Sequence, residues 1–299
     1  MSTGNSENTA KNWAYLGILA LVWGSSFILI KRGLVIFSPG EVGAYRVVAA
    51  ATFLLPLSLP RVRHLNATQI QNLILVGLVG SFIPAFLFAK AQTQLSSSLT
   101  SVLNALTPLF VVLVGWIFFG SRITRQNLIG LGIAFLGVIF LVMAKEGVGF
   151  GAFSDINAYA FFVILACTCY GFNLNLIKFR FVELKPIEIT AISLLMVLPV
   201  ALIYLMMGTQ FSYKLANIDG AWKAFGYITL LGIMGTSLAL ILFNMLVKTA
   251  SPVFASSVTY LIPIVAIMWG VWDGEVLLWG HYLGFAAVIF GVWVGNRKK

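Results

Sequence analysis

The sequence predicts an all-α, polytopic membrane protein of ten transmembrane helices built as two inverted five-helix repeats. Three observations lead there. Of 299 residues, 60% are hydrophobic and only 9% charged, against about 25% charged in soluble domains, so a water-exposed surface could not be coated. Apolar stretches long enough to cross a ~30 Å hydrocarbon core, about 20 residues each, recur along the whole chain. Motifs of the first half return in the second at a fixed spacing.

The apolar stretches lie at 12–35, 39–58, 68–91, 95–119, 126–144, 156–178, 186–207, 221–247, 250–272 and 276–296. The polar stretch Met1 to Lys11 lacks the basic start of a signal peptide, and the apolar run after it is long enough to span, so it is expected to stay as the first helix. None of the later stretches shows the alternation of a membrane barrel strand. Nearly all charges fall in the connections, and their distribution orients the chain. The flanks and connections on the side of the N-terminus carry 12 of the 19 Lys and Arg residues and the opposite side 6, and Arg46, the nineteenth, lies well inside a span. Both termini are therefore expected in the cytoplasm of an inner or plasma membrane. The net charge of +10 forms no stripe, which argues against a nucleic-acid partner. Cys167 and Cys169, about 200° apart on a helix, can neither bridge nor chelate together.

The repeat is explicit. Val22-Trp23-Gly24-Ser25-Ser26-Phe27 aligns with Cys169-Tyr170-Gly171-Phe172-Asn173-Leu174 at an offset of 147, which also superposes Pro39 on Pro186 and Glu41 on Glu188. An offset of 155 pairs Gly77 with Gly232, Gly80 with Gly235, Phe88 with Phe243, Ser101 with Ser256 and Pro108 with Pro263. Residues 12–144 and 156–296 thus form two copies of five helices. With an odd number per copy, the second enters the membrane from the opposite side, the architecture of alternating-access transporters.

Trp-Gly-Ser-Ser-Phe in the first helix, Pro39 and Arg46 around the second, and Leu106-Thr107-Pro108 echoed by Leu261-Ile262-Pro263 resemble the EamA-type branch of the drug/metabolite transporter superfamily over the whole chain. Within that branch the likeness is to YddG-type amino-acid exporters. The resemblance implies a ten-helix inner-membrane exporter of small metabolites, amino acids or drugs. Gly274-Glu275 matches the Gly-Glu that the family often carries before the last helix of a repeat, whereas the first copy has Gly120-Ser121.

Trp23 falls near the middle of helix 1, away from the interfacial depth that indole prefers, and its repeat partner is Tyr170; helix packing and substrate contact explain it equally. Uncharged polar residues at mid-depth mark a path: Ser25, Ser26, Gln92, Ser101, Asn104, Thr107, Asn173, Thr236, Asn244, Ser256 and Tyr260 avoid helices 2, 5, 7 and 10. Polar groups facing hydrocarbon are costly, so these are expected to turn inward, although each alone could be an interhelical hydrogen bond. Pro108 and Pro263 each free a carbonyl one turn earlier, at Asn104 and Thr259; with Pro84 they are candidate hinges. Arg46, about 10 Å into helix 2, reads foremost as a snorkelling residue, with a gate and a carboxylate contact as alternatives.

All nine acids lie in tails, connections or near span ends. With no midplane carboxylate, a neutral or zwitterionic cargo is favoured over a lipophilic cation. No P-loop, HExxH or nucleophile–base pattern is present, so neither enzymatic activity nor ATP drive is expected, and neither a metal nor another cofactor. The expected function is export of small neutral or zwitterionic metabolites, aromatic or other neutral amino acids foremost, with the bilayer and a small-molecule substrate as partners. A drug, cation or nucleotide-sugar exporter is the alternative, and a transport-inactive receptor or scaffold the alternative of another class. A monomer suffices for this reading, which leaves the oligomeric state open.

Overall fold

The structure, a computed structural model, describes residues 3–63, 65–122, 124–143, 158–181, 184–249, 255 and 258–296. The described residues are all-helical. In chain order the main helices are α1 (Thr3–Leu34), α2 (Pro39–Val62), α3 (Ala67–Ala91), α4 (Ser97–Phe119), α5 (Arg125–Met143), α6 (Ala160–Arg180), α7 (Pro186–Met207), α8 (Ala221–Thr249), α9 (Val258–Trp272) and α10 (Trp279–Asn296). A short helix, Phe211–Asn217, sits between α7 and α8. Seven of them, α1 to α4 and α6 to α8, are long and apolar enough to cross a membrane. The outward side chains of the bundle include the exposed Trp272, Trp279, Met207 and Trp222, large apolar groups that suit lipid rather than water.

Local chemistry sets the helix starts. Ser38 caps α2, accepting from the Glu41 N–H, while the Glu41 carboxylate accepts from the Ser38 N–H at 2.6 Å. This reciprocal box satisfies two otherwise orphaned donors. In the second copy the Glu188 carboxylate accepts from the Lys185 N–H at 2.9 Å at the start of α7. Both acids then reach across the bundle. Lys214, beyond the end of α7, donates to Glu41 at 2.7 Å, and Arg61, at the end of α2, donates to Glu188 at 3.2 Å. The start of each helix is thereby tied to the end of the other, so α2 and α7 run antiparallel.

The remaining contacts repeat this exchange. Helix α1 packs on α9 with the same direction, since Gly24 lies against Val265 and Lys31 reaches Asp273 and Glu275. In the same way α4 packs on α6, where Gly171 abuts the Phe110 carbonyl and Asn175 donates to the Val111 carbonyl at 2.9 Å. Helices α5 and α10 form an antiparallel seam: a Cβ on Gly137 would lie 2.7 Å from the Val288 nitrogen, and one on Gly291 would strike Ala134 and the Gly130 carbonyl. Exchanging each helix of one copy for its equivalent in the other maps these contacts onto one another.

Gly291→Val should lower the melting temperature of the purified protein by roughly 5 °C, because a filled seam costs about 1–3 kcal/mol. Gly132→Ala, on the same helix pair but with open space at its Cβ, should leave it unchanged or raise it by about 2 °C in the same thermal assay, because alanine favours the helix.

Candidate functional site

Helices α3 and α8 are not regular throughout. Each carries a π-helical stretch, Leu78–Phe82 in α3 and Leu231–Leu238 in α8, at places that the 155-residue offset makes equivalent. The wider turn disturbs the regular backbone ladder, which inside a membrane is tolerated only where protein or a cavity covers it. Here it is covered. The Trp23 indole N–H donates to the Gly235 carbonyl at 2.8 Å. A Cβ on Gly235 would lie 2.7 Å from the Ser26 hydroxyl, and one on Gly80 2.7 Å from the Asn173 side chain. Only glycine lets these helices approach so closely.

Between the two irregular stretches lies a cavity. Its non-protein space, open mouth included, is about 830 Å³. The wall is built from equivalent residues of both copies: Trp23 and Tyr170, Ser26 and Asn173, Phe27 and Leu174, Gly80 and Gly235, Ser81 and Thr236, Phe88 and Phe243, Asn104 and Thr259, Thr107 and Ile262. Aromatic contacts obey the same exchange. Trp23 meets Phe243 edge-on at 4.9 Å between centroids, while Tyr170 stacks on Phe88 at 6.0 Å.

Of the residues expected to line a path, Trp23, Ser26, Asn104, Thr107, Tyr170, Asn173 and Thr236 meet at this wall. The others do not. Ser25 donates to the Leu21 carbonyl and accepts from Trp269 at 2.9 Å, tying α1 to α9. Gln92 donates to the Phe27 carbonyl at 3.0 Å, Ser101 donates to the Ser98 carbonyl at 2.7 Å, and Asn244 donates to Thr190 at 2.8 Å on α7. All three are interhelical or local fasteners. Tyr260 is partly buried outside the wall, and Ser256 lies outside the described residues. Ser81, Thr259, Phe88 and Phe243 complete the wall, and the repeat offset itself points to Ser81 and Thr259 as partners of Thr236 and Asn104.

Two further expectations are corrected. Arg46 does not snorkel, and helix 2 is not excluded from the polar path: the guanidinium Nε donates to the Thr236 hydroxyl at 2.7 Å and lines the cavity. The cause is Gly232, where a Cβ would lie 2.8 Å from the Arg46 carbonyl and 2.7 Å from Ala49, so that α2 closes on α8 with Arg46 pointing inward. The Asn104 carbonyl is not left open by Pro108. Helix α4 breaks at residues 105–106, Pro108 starts its second half, and the Thr107 hydroxyl donates to that carbonyl at 2.7 Å. Pro84 opens the regular part of α3 after its π-helical stretch, and Pro263 sits within α9.

A family model described as the EamA-like transporter family matches residues 11–143 and 157–297. The chain belongs to the EamA-like transporter family. It is a multi-pass membrane protein accordingly. An uncharacterized inner membrane transporter of Escherichia coli, YedA, is 25% identical over 277 residues, covering 92% of this chain and 87% of that one. A probable terminal-alkyne amino-acid exporter of Streptantibioticus cattleyicolor is 25% identical over 294 residues, covering 96% of this chain and 93% of the relative. One solved crystal structure, 17% identical, shares the fold with a TM-score of 0.66 over 97% of this chain and 96% of its own.

In this EamA-like transporter, the Gly274-Glu275 pair acts at one end of the cavity helices. Glu275 accepts from the Ser97 and Ser98 backbone N–H groups at 3.0 and 3.2 Å and from the Ser98 hydroxyl at 2.7 Å, and pairs with Lys31 at 3.2 Å. It thus caps the first turn of α4 with a negative charge, where the helix dipole favours one, and ties α1 to the α9–α10 connection. Asp273 pairs with Lys31 at 2.7 Å and with Arg32. Burial raises the cost of ionising Glu275, but the Ser98 hydroxyl, the two N–H groups and Lys31 outweigh it and hold the carboxyl below its ordinary value. Hydrogen bonding from Lys31 lowers Asp273 likewise, against a smaller opposing effect of burial. Ser121 stands where the other copy would need the acid, so this tie has no counterpart at the opposite end.

Because both carboxyls titrate below their ordinary range, the tie is complete above that range and is lost as the pH falls through the lowered values. Glu275→Gln should speed hydrogen–deuterium exchange of the residue 97–100 amides by about tenfold, the effect of losing a cap worth about 0.5–2 kcal/mol. Acidification of the wild type to well below the ordinary carboxylate range should produce the same change, and should add little to the variant.

Proposed function

We propose that this EamA-like transporter is a secondary exporter of small neutral or zwitterionic metabolites, amino acids foremost, working by alternating access about the central cavity. The carrying observation is the wall itself, built pairwise from equivalent residues of two copies. A site on a pseudo-two-fold axis presents nearly the same groups to each side of the membrane, which is what a carrier exposing one site alternately to both sides requires. In this reading residues 12–144 and 156–296 are inverted five-helix repeats, and the ten helices cross an inner membrane with both termini in the cytoplasm. The antiparallel pairings of α2 with α7 and of α5 with α10 support the inversion, and the excess of Lys and Arg on the N-terminal side supports the orientation. The name of the Streptantibioticus relative supports an amino-acid-like cargo. Aromatic faces of Trp23, Tyr170, Phe88 and Phe243 suit an apolar side chain.

Purified protein in liposomes should give saturable flux of labelled phenylalanine, leucine or another neutral amino acid. Flux no greater than in empty liposomes, for every member of such a panel, would sink the reading, and binding without flux would favour a receptor. Trp23→Ala should cut transport at least tenfold, since it removes both a cavity face and the donor on the Gly235 carbonyl. Trp293→Ala, half-exposed on α10, should change it less than twofold at equal expression.

A further inference from the structure

The cavity has one formal charge on its wall and it is unbalanced. Arg46 is the lone lining residue with a full charge among the described residues, and no described acid lies within ion-pair distance of it. Its Nε is engaged by Thr236, which fixes the plane of the guanidinium and leaves the donors of the two terminal nitrogens for a partner. The charge also departs from the symmetry of the wall, because the equivalent position in the second copy is Ser193, buried and donating to the Thr190 carbonyl at 3.1 Å. A cation partly withdrawn from water without a counter-ion is costly and marks a site for an anion. The second unmet group is an acceptor. Asn173 is 4% exposed, lines the same cavity, and its side-chain oxygen has no hydrogen-bond partner.

We infer that Arg46 is the cargo's carboxylate anchor and that Asn173 receives a hydrogen bond from the cargo's donor end, its ammonium in an amino acid. The inference rests on the transport reading above and deepens it: the site requires a carboxylate on its ligand, and the ammonium of a zwitterionic cargo adds to recognition, so that an anionic analogue binds more weakly. A planar guanidinium matches a carboxylate with two parallel hydrogen bonds, which an ammonium cannot reproduce. A cation lacking a carboxylate would instead face Arg46 across the cavity and be rejected by like-charge repulsion. The missing midplane acid and the guanidinium on the cavity wall thus select in the same direction.

The test uses the full chain in detergent and in proteoliposomes with four probes of one side chain: phenylalanine, phenylpyruvate, phenylalaninamide and phenethylamine. Phenylalanine and phenylpyruvate should bind, phenylalanine more tightly, while the amide and the amine should bind at least about thirtyfold more weakly than phenylalanine. Arg46→Gln should weaken both carboxylates by about thirtyfold or more, with Arg46→Lys in between. Asn173→Leu should weaken phenylalanine while leaving phenylpyruvate within about threefold. The wild-type panel needs no variant and decides the matter even if Arg46→Gln does not fold. Phenylalanine flux that persists in Arg46→Gln, or amide bound as well as phenylalanine, would overturn the anchor and leave the export reading standing. Binding of phenylpyruvate with no binding or flux of any amino acid would uphold the anchor and overturn amino-acid export. Failure of both carboxylates to bind would overturn the anchor.

Discussion

In a lipid-embedded chain every backbone N–H and carbonyl must find a partner within the protein, and the rest of this structure depends on where that requirement is relaxed. Regular helices meet it by themselves. The π-helical stretches of α3 and α8 depart from it at matched depths, and the break at residues 105–106 of α4 departs from it once more. Two of the three departures are mended by a side chain that also shapes the cavity: the Trp23 indole on the Gly235 carbonyl, and the Thr107 hydroxyl on the Asn104 carbonyl. Irregular backbone and functional wall are therefore the same residues. A substitution at Trp23 acts on both at once, which makes packing and substrate contact two aspects of one arrangement rather than rival explanations.

Around this centre the bundle divides its labour. Helices α5 and α10 meet through glycines along an antiparallel seam, and none of their described side chains lines the cavity. Helices α2 and α7 are bound end to end by Glu41 with Lys214 and by Glu188 with Arg61. The inner helices are held by single polar fasteners instead, such as Ser25 with Trp269, Gln92 with the Phe27 carbonyl and Asn175 with the Val111 carbonyl. Such bonds average about 0.6 kcal/mol each within membranes, small enough for helices to exchange one set for another.

Much of this was legible in the sequence, because lipid leaves few options. Apolar runs locate the helices within a few residues, and the offsets of 147 and 155 pair residues that later face each other across the cavity. Polarity alone was a poorer guide. Ser101 and Asn244 look like wall residues by depth, yet they turn to the Ser98 carbonyl and to Thr190, since a polar side chain is satisfied as well by a neighbouring helix as by a cavity. Arg46 departs from its sequence reading for a different reason. Its direction is decided by Gly232, nearly two hundred residues away, and no pattern within helix 2 carries that information. The π-helical stretches leave only the faint trace of paired glycines, Gly77 with Gly80 and Gly232 with Gly235.

The lone guanidinium also bears on how such a chain must be encoded. Two identical five-helix subunits related by a two-fold axis can place only an even number of charges around a site on that axis. A dimer of first copies would set two guanidiniums against each other, and a dimer of second copies would offer two serines. One charge on the axis demands halves that differ, and halves that differ must be joined in fixed stoichiometry. Fusion into a single gene does this, so the odd charge count at the cavity is itself a reason for the repeats to share one polypeptide.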